Sequence, residues 1–133
     1  MFVIFYTLVA LLLAALLVDG GSAVNAQERA GDIAEQAARA AADTVSVPDL
    51  RAGQVVIDQT QACANAAQLI QQYVQGTNVQ ATMTKPCTYP TARQVTVYVS
   101  VTTTPVFSLF PPFTMKAAET ACAEFGVAEG AAC

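Results

Sequence analysis

The sequence predicts an α+β fold: a long transmembrane and amphipathic N-terminal helix, then a small disulfide-tied domain with one helix packed on an antiparallel sheet of three to four strands. Three observations predict it. Residues 1–18 are apolar and uncharged, valine alternates with polar residues from Val95 to Thr102, and four cysteines all follow the apolar run. We divide the chain into a transmembrane segment (1–18), an extension of its helix (19–44), a linker (45–53) and an extracytoplasmic α+β domain (54–133).

The apolar run over residues 1–18 predicts a membrane anchor. As a helix it is about 27 Å long, which is enough to cross a thin bilayer core. The alternative is a cleaved secretory signal, and the small residues Val24-Asn25-Ala26 suit a cleavage site. However, no basic residue precedes the run, and the run is longer than a typical signal core. We therefore favour a retained anchor, and we expect that a short leader precedes Met1 or that the start site lies elsewhere.

The alanine-rich stretch from Ser22 to Asp43 predicts that the same helix continues outside the membrane to about residue 44. Its composition favours helix, and Glu35 and Arg39 form a favourable i,i+4 pair. Its weakly apolar face repeats at helical spacing and consists of Ala23, Ala26, Ala30, Ile33, Ala37 and Ala41. Such small side chains permit close approach of a second helix.

The junction between these two segments is Asp19-Gly20-Gly21. Two helical glycines favour a bend, and Asp19 is expected at the membrane boundary. There its carboxylate is either solvated or paired with a positive group on a neighbouring subunit. The predicted association and membrane-boundary residues are Asp19, Gly20, Gly21, Ala26, Ala30, Ile33 and Ala37.

The outer domain begins with a short strand and a helix. Pro48 and Gly53 mark the linker, and residues 55–57 suit a strand. Asp58 is a good helix N-cap, with Gln61 three residues on as in a capping box. The helix that follows ends at Gly76 and has an apolar stripe consisting of Cys63, Ala66, Ala67, Ile70, Tyr73 and Val74.

The remaining chain predicts strands. Residues 79–84 suit one strand, and residues 85–90 are expected to form a loop because they contain two prolines. The alternation over residues 95–102 is the clearest period-two signal in the chain. Residues 113–125 alternate only in part, and their alanines and glutamates also suit a helix. We predict a strand there because the preceding strand needs a partner.

The four cysteines predict two disulfides. None belongs to a Cys-x-x-Cys pair, and the chain has no histidine, so a zinc site is not expected. Three pairings are open, and we favour the sequential one, Cys63–Cys87 and Cys122–Cys133. The first loop contributes on the order of 3 kcal/mol of stability. Disulfides also predict that the domain lies on the oxidising side of the membrane, with the N-terminus inside.

The composition argues against catalysis and nucleic-acid binding. The absence of histidine excludes histidine-based acid–base chemistry, and a net charge of −4 leaves no basic patch. The acidic candidates have no visible partner at catalytic spacing; they are Asp58, Glu119, Glu124 and Glu129. We expect a protein that is not an enzyme and that binds no cofactor, metal or nucleic acid. The apolar residues of the connection after the strand over residues 95–102 are expected either to belong to the core or cover the sheet edge, or else to form a docking patch for another subunit or the outer membrane surface; they are Val106, Phe107, Leu109, Phe110 and Phe113.

Several segments, taken in their order along the chain, resemble the TadE/TadG-like proteins of tight-adherence (Flp) pilus assembly, particularly the actinobacterial versions. The first two are the apolar run ending in Leu17-Val18-Asp19-Gly20-Gly21 and the stretch from Gln27 to Ala41. They are followed by the short Val55-Val56-Ile57-Asp58 strand with its helix, and by the Val95-to-Thr104 strand running into Pro105-Val106-Phe107. The resemblance implies a minor pilin or pseudopilin that lipid and other pilin-like subunits surround, and that is extracted from the membrane into a surface pilus. Two other hypotheses stay open at this point: a single-span accessory subunit of another membrane complex, and a secreted binding module released by signal cleavage.

Overall fold

The structure is a computed structural model that describes residues 2–76, 79–106 and 111–124. Its elements, in chain order, are α1 (Phe2–Ala42), α2 (Val47–Arg51), α3 (Gln59–Gly76), β1 (Gln80–Thr88), β2 (Gln94–Thr103) and β3 (Phe113–Cys122). The three strands form one antiparallel sheet in the order β1-β2-β3. The predicted α+β class, with a long apolar helix before a small domain, is confirmed.

Helix α1 spans the predicted membrane segment and its extension without interruption. It passes through Gly20 and Gly21 as continuous helix. The half from Ala26 to Ala42 packs against β2, β3 and α3, and its buried side chains are almost all alanine. Because an alanine methyl group is short, the sheet can approach the helix backbone closely along this half.

Strand β2 is the centre of the domain core. Its four alternating valines, Val95, Val97, Val99 and Val101, are at most 2% exposed and belong to the same core cluster as the alanines of α1. The polar residues between them lie on the opposite face of the sheet, as the pleat of a strand requires. The predicted strand and its alternation are confirmed.

Strand β1 is longer than the sequence predicts. The expected loop over residues 85–90 is wrong for Lys85 to Thr88, which continue the strand. β1 is an edge strand. The register of its pairing with β2 shifts between Lys85 and Thr88, and Pro86 lies within this stretch. A proline without an N–H is tolerated at such an irregularity on an edge strand.

The linker region folds back on the end of α1. It contains the short helix α2, and Gly53 follows that helix with a φ of 78°, a left-handed conformation that favours glycine. The predicted strand over residues 55–57 is reduced to a single bridge between Val45 and Ile57. This segment bonds to the chain after α1 instead of to the sheet, since Ser46 N donates to Val56 O at 2.8 Å.

Helix α3 begins at the predicted cap. Asp58 Oδ1 accepts hydrogen bonds from Thr60 N at 3.0 Å and from Gln61 N at 3.4 Å. The backbone N–H of Asp58, which a capping box would bond to Gln61, instead donates to Thr44 O at 2.8 Å. α3 buries Ala62, Ala66 and Ile70 in the core. Ala62 is outside the predicted stripe.

Candidate functional site

Residues Phe2–Val18 of α1 extend beyond the folded domain, and we call them the outer half of the helix. They form the main apolar surface among the described residues. Its large side chains are exposed, from Val9 at 37% to Phe2 at 81%. The segment carries no charged residue, and α1 is the one helix among the described residues that is long and apolar enough to cross a membrane. Water does not stabilise such a surface, so it requires lipid or other apolar helices around it.

The predicted association face divides into two parts in the structure. Ala26, Ala30, Ile33 and Ala37 are at most 3% exposed and lie in the core of the chain's own domain. A neighbouring helix cannot contact them unless the sheet is displaced. Gly20 and Gly21 are exposed, and a Cβ atom added to either glycine would meet no atom within 4 Å. The surface open to a partner therefore consists of the outer half of α1 and the glycine turn that follows it.

Asp19 has an environment that differs from both predicted ones. It is 1% exposed, so it is neither solvated nor open to a neighbouring subunit. Its Oδ1 accepts a hydrogen bond from Val106 N at 2.9 Å, across 87 residues of sequence. This bond holds the chain that leaves β2 against the end of the apolar segment. No local signal in the sequence indicates such a long-range contact.

The predicted docking patch is described only at its two ends. Val106 is 69% exposed, and Phe113 at the start of β3 is half-buried. Phe107, Leu109 and Phe110 lie outside the described residues. The patch therefore stays a prediction.

One predicted disulfide is confirmed. Cys63 on α3 and Cys87 on β1 are bonded, with their Cα atoms 5.7 Å apart. The bond ties α3 to the edge strand of the sheet. Cys133 lies outside the described residues, so the predicted Cys122–Cys133 pair stays a prediction.

A cleft of mixed polar and apolar lining lies beside the junction of the two halves of α1. Its volume is about 530 Å³, and it separates the first turns after Asp19 from the start of β1 and the end of β2. The lining residues are Gly21, Ser22, Asn25, Ala26, Arg29, Val79, Gln80, Val101, Thr102, Thr103 and Thr104. The sequence did not indicate this cleft, because its two walls are about 50 to 80 residues apart in the chain. The available signal was the i, i+3, i+7 spacing of Ser22, Asn25 and Arg29 on one helix face.

The sheet face opposite α1 carries both lysines of the chain. Lys85 Nζ lies 3.8 Å from the centroid of the Tyr98 ring, and Lys116 on β3 pairs in register with Ser100. Hydroxyl pairs connect the strands across this face, including Thr96 with Thr120 at 2.7 Å. The face is thus cationic and hydroxyl-rich, although the chain as a whole is acidic.

Two side chains near the start of α3 have shifted pKa values with structural causes. The Thr60 hydroxyl donates to the Asp58 carboxylate and lowers the pKa of Asp58. Burial raises the pKa of Tyr89, whose hydroxyl donates to Gln59 O at 3.0 Å. Both groups fix the beginning of α3. Among residues 2–76, 79–106 and 111–124, no cluster of three or more His, Cys, Asp or Glu side chains could hold a metal ion.

These features define a class of protein in which one long helix, apolar in its first half, packs by its second half into a small disulfide-tied domain. Such an arrangement fits single-pass membrane anchoring. Residues 1–44 match the TadE/G-like family of Flp pilus-assembly proteins, and this match confirms over that segment the resemblance seen in the sequence. The match and the apolar helix together fit a membrane subunit associated with pilus assembly. No curated protein and no solved structure matches the chain.

Proposed function

We propose that the protein is a non-enzymatic, single-pass membrane subunit of a tight-adherence pilus or a related surface assembly, resembling the minor pilins of actinobacterial systems. Residues 2–18 lie in the membrane and contact lipid and the helices of other pilin-like subunits. The domain that follows is extracytoplasmic. From this position the subunit can be extracted into a filament together with its neighbours.

The division of α1 carries the proposal. The family match over residues 1–44 coincides with this helix, Phe2–Ala42. One half of the helix is held in the core of the domain, and the other presents large apolar side chains that the domain leaves uncovered. A subunit built in this way can pass from lipid into a bundle of similar helices while its domain stays folded.

The disulfide supports the proposed orientation. Cys63 and Cys87 form a bond that persists in oxidising compartments. The outer half of α1 has no basic residue that would fix its topology by charge. We therefore assign the domain to the outer side of the membrane on the basis of the disulfide.

Packing disfavours release of the domain by cleavage near Ala26. Such a cut would remove Asp19, which accepts the Val106 N–H, and would open the core next to Ala26, which is 3% exposed. The alternative hypothesis, an accessory subunit of another membrane complex, also places this helix in a bilayer. The pilus hypothesis and the accessory-subunit hypothesis therefore differ in which proteins contact the helix.

Site-specific photo-cross-linking in native membranes tests the proposal. A photoreactive residue replaces Leu11, which is 69% exposed on the outer half of α1, and in a control it replaces Val47, which is 55% exposed on α2. We expect Leu11 to cross-link to a second copy or to another pilin-like subunit, and Val47 not to do so. Cross-links from Leu11 only to a respiratory or transport complex would contradict the pilus assignment and support the accessory-subunit hypothesis.

A further inference from the structure

We propose that the cleft beside Arg29 binds the phosphate-bearing headgroup of an anionic phospholipid. This inference rests on the proposed membrane anchoring of residues 2–18 and adds a ligand class to it. The cleft has a volume of about 530 Å³, which can hold a headgroup but not the acyl chains of a phospholipid. Those chains would lie along the exposed apolar residues of the outer half of α1, such as Leu17 and Val18.

The membrane end of the cleft, at Gly21 and Ser22, lies at the headgroup level. The apolar segment ends at Val18, and the first residue of the cleft wall, Gly21, follows three residues later. The bond from Val106 N to Asp19 Oδ1 brings the chain that leaves β2 to the same depth. Headgroups occupy roughly 5–8 Å on each side of the hydrocarbon core, which corresponds to about three to five helical residues.

Arg29 lies further from the membrane end of the helix, and its side chain lines the cleft. Long side chains on a helix lean toward its N-terminus, and the N-terminus of α1 is the membrane end. Arginine also extends its charged group by several ångströms beyond its Cα. Its guanidinium is therefore suited to reach a phosphate held at the level of Ser22 and Asn25.

The chemistry of the lining suits a phosphate. Arg29 is the one charged side chain among the described residues of the cleft. The Ser22 hydroxyl donates to Asp19 O at 2.7 Å and the Thr102 hydroxyl pairs with that of Thr114, so the further side-chain donors of the lining are the amides of Asn25 and Gln80 and the hydroxyls of Thr103 and Thr104. Within the described part of the chain, Arg39 forms an ion pair with Glu35, and no ion pair engages Arg29. A guanidinium that is not engaged in an ion pair can bind a phosphate through two parallel N–H donors. The acidic residues closest to Arg29 in sequence, Glu28 and Asp32, do not line the cleft.

A titration of the full-length chain in phosphatidylcholine nanodiscs tests the inference. The probes are short-chain phosphatidylglycerol and, separately, inorganic phosphate, and the readout is the amide NMR signals of Ser22, Asn25 and Thr103. We expect saturable shifts with phosphatidylglycerol and much smaller ones with inorganic phosphate. Arg29→Gln should weaken the apparent affinity about fivefold, the effect of one arginine near an anionic headgroup. Arg51→Gln, outside the cleft, should leave it unchanged.

A second pair of variants tests whether the ligand occupies the volume of the cleft. Gly21 lines the cleft and Gly20 does not, and a Cβ added to either would meet no atom within 4 Å. Gly21→Leu should therefore fill the cleft and abolish the response without a change in fold, whereas Gly20→Leu should respond as the natural chain does. Because the two variants have the same composition, a general effect of the substitution on α1 would appear in both.

The outcomes separate this inference from the proposed function. Failure of the chain to enter nanodiscs would contradict membrane anchoring itself. Entry without a saturable response, or equal responses in Gly21→Leu and the natural chain, would overturn the lipid site alone. Equal shifts with inorganic phosphate would assign the cleft to a free anion, and shifts that depend only on protein concentration would assign it to a second copy. Both results would overturn the lipid assignment.

Discussion

The two halves of α1 differ in side-chain size and in burial. Over Phe2–Val18 the helix presents leucine, phenylalanine and valine, and these side chains are mostly exposed. Over Ala26–Ala42 the buried side chains are alanines and Ile33. The most hydrophobic part of the chain is thus the part that its own domain leaves uncovered. Hydrophobicity indicates that a surface must be covered, and side-chain size decides whether the chain's own sheet or a membrane covers it.

The largest effect is expected from a charge placed in the outer half of α1. Leu12→Lys should weaken membrane insertion by about 3–4 kcal/mol, or several hundredfold, because a lysine near the centre of a bilayer is costly. Membrane fractionation measures the effect. Val24→Lys is the matched control, since Val24 is 62% exposed on α1 beyond Asp19, and it should stay in the membrane fraction. An unchanged membrane fraction for Leu12→Lys would contradict the anchor.

The half of α1 that packs in the domain, Ala26–Ala42, is its inner half. Its contribution to stability should be most sensitive to the removal of buried side-chain volume. Ile33 is 1% exposed in the core, so Ile33→Ala should lower the free energy of unfolding by about 3 kcal/mol through lost burial and a cavity. Chemical denaturation in detergent measures this change. Val24→Ala, at an exposed position, should cost less than about 0.5 kcal/mol. Equal effects of the two substitutions would show that the inner half is not packed on the sheet.

The junction of the two halves depends on Asp19. Asp19→Ala should cost about 2 kcal/mol, because Val106 N loses its hydrogen-bond acceptor. Hydrogen exchange at the Val106 amide measures this directly and should accelerate at least tenfold. Asp19→Asn keeps an acceptor oxygen and should restore most of the protection. If exchange at Val106 were unchanged in Asp19→Ala, the junction would not depend on this bond.

The smallest effect is expected at Asp58, far from the membrane. Its pKa is lowered in the folded state by the Thr60 hydroxyl, so its stabilising contribution is present above its ordinary pKa of 3.8 and is lost as the pH falls through the folded pKa. The unfolding temperature should therefore drop in acid, and less steeply in Asp58→Asn, which keeps the acceptor but does not titrate. Identical acid profiles for the two chains would contradict this role.

The sequence predicted the elements that depend on local pattern. The alternation around Val97, the cap at Asp58 and the apolar run before Asp19 are each read from neighbouring residues, and the structure has all three. It did not predict Pro86 within β1, because only the register of an edge strand makes that position tolerable.

The junction contacts were not predictable for a different reason. The burial of Asp19 and the cleft beside Arg29 depend on contacts with chain segments many residues away. The alanines of α1 show the same limit. Their spacing indicates a packing face, and it does not say whether the chain's own sheet or another helix packs there.

The most direct test of the account is the intact mass of the native protein in membrane and culture-medium fractions, with thiol alkylation before and after reduction. The account predicts a membrane-bound species that retains residues 2–18, and in which Cys63 and Cys87 react with the alkylating reagent only after reduction. A species in the medium that begins at Gln27 would contradict it, because the apolar half of α1 would then be a removed signal and not an anchor.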